Sequence, residues 1–196
     1  MIQMIEQYLF NRPLGKEYKW DSFYDITKDD IGDYLIWEDL VEKLYVNFYS
    51  YFNKFNSLDY TFCIEKYGLF NREKLNNLKT LGKDIIDEIV NISNILAKND
   101  VENYKVLDIE KVKLFSRAMS KELCYFCLVD MTSNARLIPL WDEPFSYQIF
   151  LDTDLVRIES IFSQDTLLFI EKAVYLTDSP EYRRLSDDIF YKKFED

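Results

Sequence analysis

The spacing of apolar residues changes along the chain from a helical to a strand-like pattern. Between residues 35 and 54, apolar side chains recur at intervals of three and four, which places them on one face of an α-helix. They are Trp37, Leu40, Val41, Leu44, Tyr45, Phe48 and Phe52. Residues 71–98 carry a second long helical pattern, in which Gly82 predicts a kink or a break. A shorter pattern predicts a third helix within residues 108–121.

Less regular helical patterns lie near both ends of the chain. Residues 2–10 predict a short helix. Residues 154–163 and 165–176 fit either helix or strand, and we favour helix for both. A last helix is expected to begin at Ser179, because Ser is a common capping residue and Pro180 suits the first helical position.

Short apolar runs in the remaining segments predict a β-sheet. Residues 58–65 alternate between faces and contain strand-forming residues. The runs 123–131 and 135–141 predict a hairpin whose first strand lies inside the sheet, because that strand is apolar on both faces. Pro139 has no amide proton for a ladder, so the second strand is expected at an edge or with a bulge. Residues 145–151 predict a further strand.

These elements predict an α+β fold in which several helices pack on a small, mainly antiparallel sheet. The N-terminal half is expected to be mainly helical, with the sheet mainly in the C-terminal half. A length of 196 residues suits one domain, so residues 1–196 are expected to form a single acidic domain. Aromatic residues make up 17% of the chain and supply material for a core.

The charge balance narrows the classes of partner. The chain has 35 acidic residues against 24 Lys plus Arg, which gives a formal net charge of −11. Nucleic acid binding depends on clustered basic residues that displace counterions, so we expect no nucleic acid partner. Anionic membrane surfaces would repel the chain for the same reason. A negative surface attracts basic proteins and accelerates their encounter.

The sequence favours a cytoplasmic protein. Its three cysteines are too few, and odd in number, for a secreted disulfide scaffold. The first residues lack a basic segment followed by an apolar run, so no secretory signal is expected. No apolar run is long enough to span a membrane.

The chain contains no histidine. This removes the usual general base, the usual imidazole metal ligand and every Ser-His or Cys-His pair. Catalysis would therefore depend on carboxylates, Lys, Tyr, Cys or a bound cofactor. The sequence has no glycine-rich phosphate loop, and we expect no cofactor.

Cys124 and Cys127 have the C-x-x-C spacing of redox and zinc sites. Redox pairs normally lie at a helix N-terminus, whereas these residues lie in a predicted apolar strand. The strand repeat of two would point them to opposite faces of the sheet. A zinc site needs four ligands, and Cys63 is the only further cysteine. We therefore interpret both as small buried apolar residues.

Asp152 and Asp154 follow the apolar run that ends at Leu151. A strand that ends in D-x-D is able to present two carboxylates to Mg²⁺ or Mn²⁺, as nucleotide-sugar transferases do. The alternative is an ordinary helix cap. The short chain that follows and the missing phosphate loop favour the cap.

The densest charge feature extends from residue 25 to residue 42. Thr27 and Asp30 resemble a helix-starting cap within it. Like charges at helical spacing repel each other, and a basic partner would offset that repulsion. Tyr34 and Tyr49 are expected to face such a partner, because Tyr is common in binding hot spots. The acidic members are Asp25, Asp29, Asp30, Asp33, Glu38, Asp39 and Glu42.

These features lead to three hypotheses of function. The first is an inhibitor of the immunity or antitoxin kind, which masks a basic partner such as a nuclease toxin through the acidic, aromatic-containing surface. The second is a divalent-metal enzyme that acts on a phosphorylated or nucleotide substrate through Asp152 and Asp154. The third is a structural or regulatory subunit whose helix 71–98 packs on another chain.

Overall fold

The computed structural model describes residues 5–12, 20, 22–64, 81–98, 107–140 and 145–173. Within these ranges the chain forms strands and helices in a mixed order, which confirms the predicted α+β class. The strands are β1 (Ile5–Phe10), β2 (Leu58–Ile64), β3 (Cys124–Asp130), β4 (Arg136–Pro139), β5 (Tyr147–Asp152) and β6 (Ile170–Lys172). The helices are α1 (Ile31–Phe52), α2 (Lys83–Lys98), α3 (Ile109–Ser120), α4 (Ile158–Ile161) and α5 (Gln164–Leu167).

The six strands form one antiparallel sheet with the order β2-β3-β4-β5-β1-β6. β1 pairs with β5 on one side and with β6 on the other, so the helix predicted for residues 2–10 is wrong over β1. Ladder hydrogen bonds to strands far along the chain outweigh the local helical spacing. Gln7 and Phe10, on opposite faces of β1, are both buried.

α1 confirms the helix predicted for residues 35–54, with its start at Ile31 and its end at Phe52. Every residue of the predicted apolar stripe is buried. The helix packs on the sheet: Tyr45 Oη donates to the carbonyl of Phe126 in β3 over 2.9 Å. Near its start, the Trp37 ring stacks on Phe10 of β1 with centroids 4.9 Å apart.

β3 and β4 confirm the predicted hairpin, and β3 lies inside the sheet as expected. The predicted edge position of the second strand is wrong, because β4 lies between β3 and β5. Pro139 is the last residue of β4, and the β3–β4 register already ends at Leu128 opposite Leu137. The missing amide proton of Pro139 therefore leaves no gap in that ladder.

α2 begins directly after Gly82, whose φ of +124° is a conformation that other residues rarely adopt. α2 thus does not extend past the glycine at which a kink or a break was predicted, but residues 71–80 of the predicted helix lie outside the described residues. α3 confirms the helix predicted within 108–121. It begins at a cap in which the Asp108 carboxylate accepts from the Lys111 amide over 2.9 Å.

The segment after β5 departs partly from the prediction. α4 and α5 are single-turn helices, and residues 170–172 form strand β6 rather than part of a helix. β6 pairs with Tyr8–Phe10 of β1. Pairing with a strand far away in sequence therefore determines the secondary structure of a segment whose sequence fits both helix and strand. The last helix, predicted from Ser179, lies outside the described residues.

Apolar clusters lie on both faces of β3. Cys124, Phe126 and Leu128 belong to the main core with α1 and α3. On the other face, Tyr125 and Cys127 form a smaller cluster with Ile138 of β4. The sheet thus positions α1 over its larger core, with the start of the helix next to β1.

Candidate functional site

The acidic residues predicted to bind a partner fall into two groups along α1. The first group contains Asp29 and Asp30 directly before α1, Asp33 in its first turn, and Asp25, which ends a 3-10 helix (Phe23–Asp25) that precedes α1. The second group, further along the helix, contains Glu38, Asp39 and Glu42. The two groups differ in exposure, and each member of the second group has a cation of the same molecule beside it.

Asp29, Asp30 and Asp33 lie at the positive end of the helix dipole of α1, which favours carboxylates. Asp25 and Asp29 are exposed, and Asp30 and Asp33 are partly buried. The Asp30 carboxylate accepts from the backbone amide of Thr27 over 3.3 Å and from its hydroxyl over 2.5 Å. These bonds close the turn before α1, whereas the helix itself begins after Asp30 without a side-chain capping bond, so Thr27 is not its N-cap.

Glu38 is not available to a partner because it is buried. Its carboxylate forms an ion pair with Lys121, whose side chain is only 1% exposed. The Ser120 hydroxyl donates to the same carboxylate over 3.0 Å, and Tyr34 Oη donates to it over 3.2 Å. Lys121 also lies 3.5 Å from the Glu88 carboxylate in α2. Glu38 therefore belongs to an internal ionic network.

Asp39 and Glu42 each have a cation of the same molecule beside them. Asp39 pairs with Lys43 over 2.7 Å, and its hydrogen bond and charge raise the pKa of the lysine. Glu42 pairs with Arg117 of α3 over 2.5 Å, which raises the pKa of the guanidinium. A partner would have to compete with these cations.

The expected exposure of Tyr34 and Tyr49 is wrong, because both side chains are buried. Burial, and for Tyr34 the neighbouring Glu38 charge, raises the pKa of each phenol. Tyr49 Oη donates to the Leu107 carbonyl over 3.0 Å. Tyr34 precedes Trp37 by three positions and Tyr49 precedes Phe52 by three, so helical spacing already placed both on the apolar stripe.

Two exposed apolar residues near the start of α1 were missed in the sequence. Leu35 is 48% exposed and Ile36 is 64% exposed. They fall between the buried positions Tyr34 and Trp37, and this position off the stripe was the available signal. On a helix, residues three apart are neighbours, so Ile36 lies beside Asp33. We call the set formed by Asp25, Asp29, Asp30, Asp33, Leu35 and Ile36 the α1 N-terminal surface.

Asp152 and Asp154 lie at the end of β5 and in the turn that follows. Asp152 is buried, and its carboxylate accepts from the Asp154 amide over 3.1 Å, which is the geometry of a turn cap. Asp154 is exposed. Within the described ranges, no group of three or more His, Cys, Asp or Glu residues has the geometry to hold a metal ion.

Cys124 and Cys127 are both buried free thiols. Their clusters lie on opposite faces of β3, as the strand repeat predicts. The Cys124 thiol donates to the Phe115 carbonyl in α3 over 3.5 Å. Cys63 lies at a position whose side chain is outside the described residues.

Comparison with known proteins does not place the chain in a family. No family model, curated protein or solved structure matches it. Among the helices of the described residues, none is both long enough and apolar enough to cross a lipid bilayer. The α1 N-terminal surface is therefore the candidate site that local geometry and charge select.

Proposed function

We propose that the protein is an inhibitor of the immunity or antitoxin kind, which covers a basic partner with the α1 N-terminal surface. The observation that carries the proposal is that two apolar residues near the start of α1, Leu35 and Ile36, are exposed, and that Ile36 lies one helical turn from Asp33. A nuclease toxin is the partner class that we favour, because its substrate site is basic. The carboxylates would then occupy positions that substrate phosphates normally fill.

The distribution of charge supports binding of a basic partner at the α1 N-terminal surface. The first acidic group has four carboxylates, whereas Lys28 is the one cation within residues 25–36. Such a field raises the rate at which a basic surface reaches the helix, and salt weakens the effect. Glu38, Asp39 and Glu42 are excluded from the core of the contact because they already pair with Lys121, Lys43 and Arg117.

Leu35 and Ile36 would contribute binding free energy that exposed charges alone do not. Complete burial of a Leu or Ile side chain contributes about 1.5–3 kcal/mol. Solvated rim charges contribute less, and they mainly determine the association rate. We therefore expect Leu35 and Ile36 to determine how long the complex lasts and Asp25 and Asp29 to determine how fast it forms.

The proposal is tested by affinity capture with matched surface variants. The immobilised protein is exposed to a cell extract at low and at high salt, and each retained protein is quantified. The variants L35S/I36S and Asp25→Lys/Asp29→Lys should both lose one basic protein that the wild type retains. The purified basic protein should then show an activity, such as nucleic acid cleavage, that the wild type inhibits.

The controls change the same residue types elsewhere. Leu168 is 80% exposed, and Glu171 is an exposed carboxylate on β6. Leu168→Ser and Glu171→Lys should leave capture of that protein unchanged. If every retained protein responds equally to the surface variants and to these controls, the α1 N-terminal surface is not the binding site.

A further inference from the structure

An open cleft of about 670 Å³ lies where β1 meets the turn after β5 and helix α4. Its volume falls within the range of small-molecule sites, roughly 300–1,000 Å³. The cleft contains no residue of the α1 N-terminal surface. Among the described residues, its polar lining includes Glu6, Tyr8, Thr153, Arg157, Glu159 and Ser160.

β1 connects this cleft to the core. Alternate residues of a strand point to the same face, so Glu6, Tyr8 and Phe10 share one face of β1. Phe10 is fully buried against Trp37, whereas Glu6 and Tyr8 are only partly buried. The floor of the cleft is therefore anchored to the rigid core, while its mouth is open to solvent.

Glu6 and Tyr8 are held in place by each other and by β6. Tyr8 Oη donates to one Glu6 oxygen over 2.5 Å, and Lys172 of β6 pairs with the other. These hydrogen bonds lower the pKa of Glu6. Burial, together with the charges of Glu6 and Glu159, raises the pKa of Tyr8. At neutral pH the cleft thus presents a fixed, protonated phenol beside a carboxylate whose own cation is already present.

Arg157 and Glu159 differ from Glu6 because neither has an ion-pair partner in the part of the chain that the structure describes. Both are exposed and line the cleft. The Arg157 carbonyl accepts from the Ser160 hydroxyl over 2.6 Å, which fixes the turn that carries them. Among the described residues, the cleft consequently offers one cation and one anion without an ion-pair partner, beside a neutral phenol.

We propose that this cleft binds a free amino acid as its zwitterion, with the ligand carboxylate on Arg157 and the ligand ammonium on Glu159. A guanidinium is well suited to a carboxylate because its planar fork donates two parallel hydrogen bonds. A purely anionic or purely cationic ligand would meet repulsion from one of the two side chains. A neutral polyol would leave both charges without an ionic partner.

The test is an NMR titration of the full chain with each of the twenty common L-amino acids. The amino acid that binds best is then compared with two derivatives. Its methyl ester lacks the carboxylate, and its N-acetyl derivative lacks the ammonium. Each derivative should bind on the order of tenfold more weakly than the parent. Shifted resonances should include Tyr8, Arg157 and Glu159.

Variants that remove one charge each assign the two ligand charges to side chains. Glu159→Gln should weaken binding of the unmodified amino acid about as much as N-acetylation of the ligand weakens binding to the wild type. In the Glu159→Gln variant, N-acetylation should then cause little further loss of affinity. Arg157→Gln should weaken binding of the unmodified amino acid about as much as methyl esterification of the ligand does, and esterification should cause little further loss in that variant. Glu110→Gln, an exposed acid on α3, is the control and should bind as the wild type does. Thermal midpoints of all variants verify that the fold is retained.

Two results would overturn the proposal. One is that no amino acid perturbs the cleft resonances at ligand concentrations up to about 10 mM, a range that detects even weak small-molecule binding. The other is binding that neither Arg157→Gln nor Glu159→Gln weakens. Glucose serves as the neutral comparison, and it should bind more weakly than the best amino acid.

Discussion

At the residue scale, the most informative contact is the buried ion pair between Lys121 and Glu38, because it removes Glu38 from the solvent-exposed acidic residues. The Lys121 ammonium lies between the carboxylates of Glu38 and Glu88, in a side chain that is 1% exposed. Tyr34 and Ser120 complete the hydrogen bonding around Glu38. Two charges that leave water together are tolerated only when each satisfies the other. The pair therefore fixes the turn after α3 against α1.

Removal of one member of this pair should be costly. Lys121→Met leaves a buried carboxylate without its cation, and we expect it to lower the free energy of unfolding by about 3–5 kcal/mol. Glu38→Gln in the same background should recover much of that loss, because no buried charge then remains. Urea denaturation measures all three proteins.

The control for this cycle is an exposed ion pair on α3. Lys113 and Glu110 lie 3.1 Å apart at the surface, so Lys113→Met should cost less than about 1 kcal/mol. Similar losses for Lys121→Met and Lys113→Met would show that the buried network does not stabilise the fold.

At the scale of elements, α1 contains a glycine, Gly32, whose position would accept a larger side chain. A Cβ added at Gly32 would meet no atom within 4 Å, and the residue lies in the first turn of the helix. Glycine is less favourable than alanine in a helix by about 1 kcal/mol. Gly82 differs, since its φ of +124° is strained for any residue with a Cβ.

The two glycines should respond in opposite directions to the same change. We expect Gly32→Ala to raise the free energy of unfolding by about 0.5 kcal/mol, because it reduces the entropy of the unfolded chain without a steric conflict. Gly82→Ala should lower it by about 1 kcal/mol or more. Thermal or urea unfolding would contradict this account if Gly32→Ala proved the more destabilising of the two.

The elements also show what local sequence determines. α1, α3 and the β3–β4 hairpin were predictable because their apolar periods arise within one segment. β1 and β6 were not, because each pairs with strands far away in sequence. The central position of β4 was also hidden, since it depends on where the β3 ladder ends relative to Pro139.

At the scale of the whole molecule, buried phenols connect stability to alkaline pH. Burial raises the pKa of Tyr34, Tyr45, Tyr125 and Tyr147 above the ordinary value. In the unfolded chain these groups ionise near pH 10, so above that pH the folded state binds more protons than the unfolded state. Their contribution to stability is therefore fully present below about pH 10 and is lost as the pH rises further.

We expect the free energy of unfolding to fall above about pH 10 by about 1.4 kcal/mol per pH unit for each such tyrosine. Tyr147→Phe should remove one tyrosine's share of this slope. It should cost little at neutral pH, because Tyr147 Oη has no hydrogen-bond partner among the described residues. Urea denaturation at a series of alkaline pH values measures both effects, and an unchanged slope would contradict the assignment.

The candidate site was predictable from sequence only in part. Charge located the acidic run, but it did not show that Lys121, Lys43 and Arg117 already accompany its later members. Those cations become neighbours through contacts within α1 and with the α3 region, which composition does not reveal. Leu35 and Ile36 are recognised as exposed apolar residues only once the buried face of α1 is known.

Site-specific photo-crosslinking in cells is the most direct measurement of the central claim, that the α1 N-terminal surface binds a basic protein. A photoreactive phenylalanine derivative replaces Ile36 in one protein and Leu168 in another, since both positions are exposed. We predict a crosslink from position 36 to a positively charged protein, lost in the Asp25→Lys/Asp29→Lys background, and none to it from position 168. Equal crosslinking from both positions, or crosslinking from position 36 that survives the charge reversal, would contradict the account.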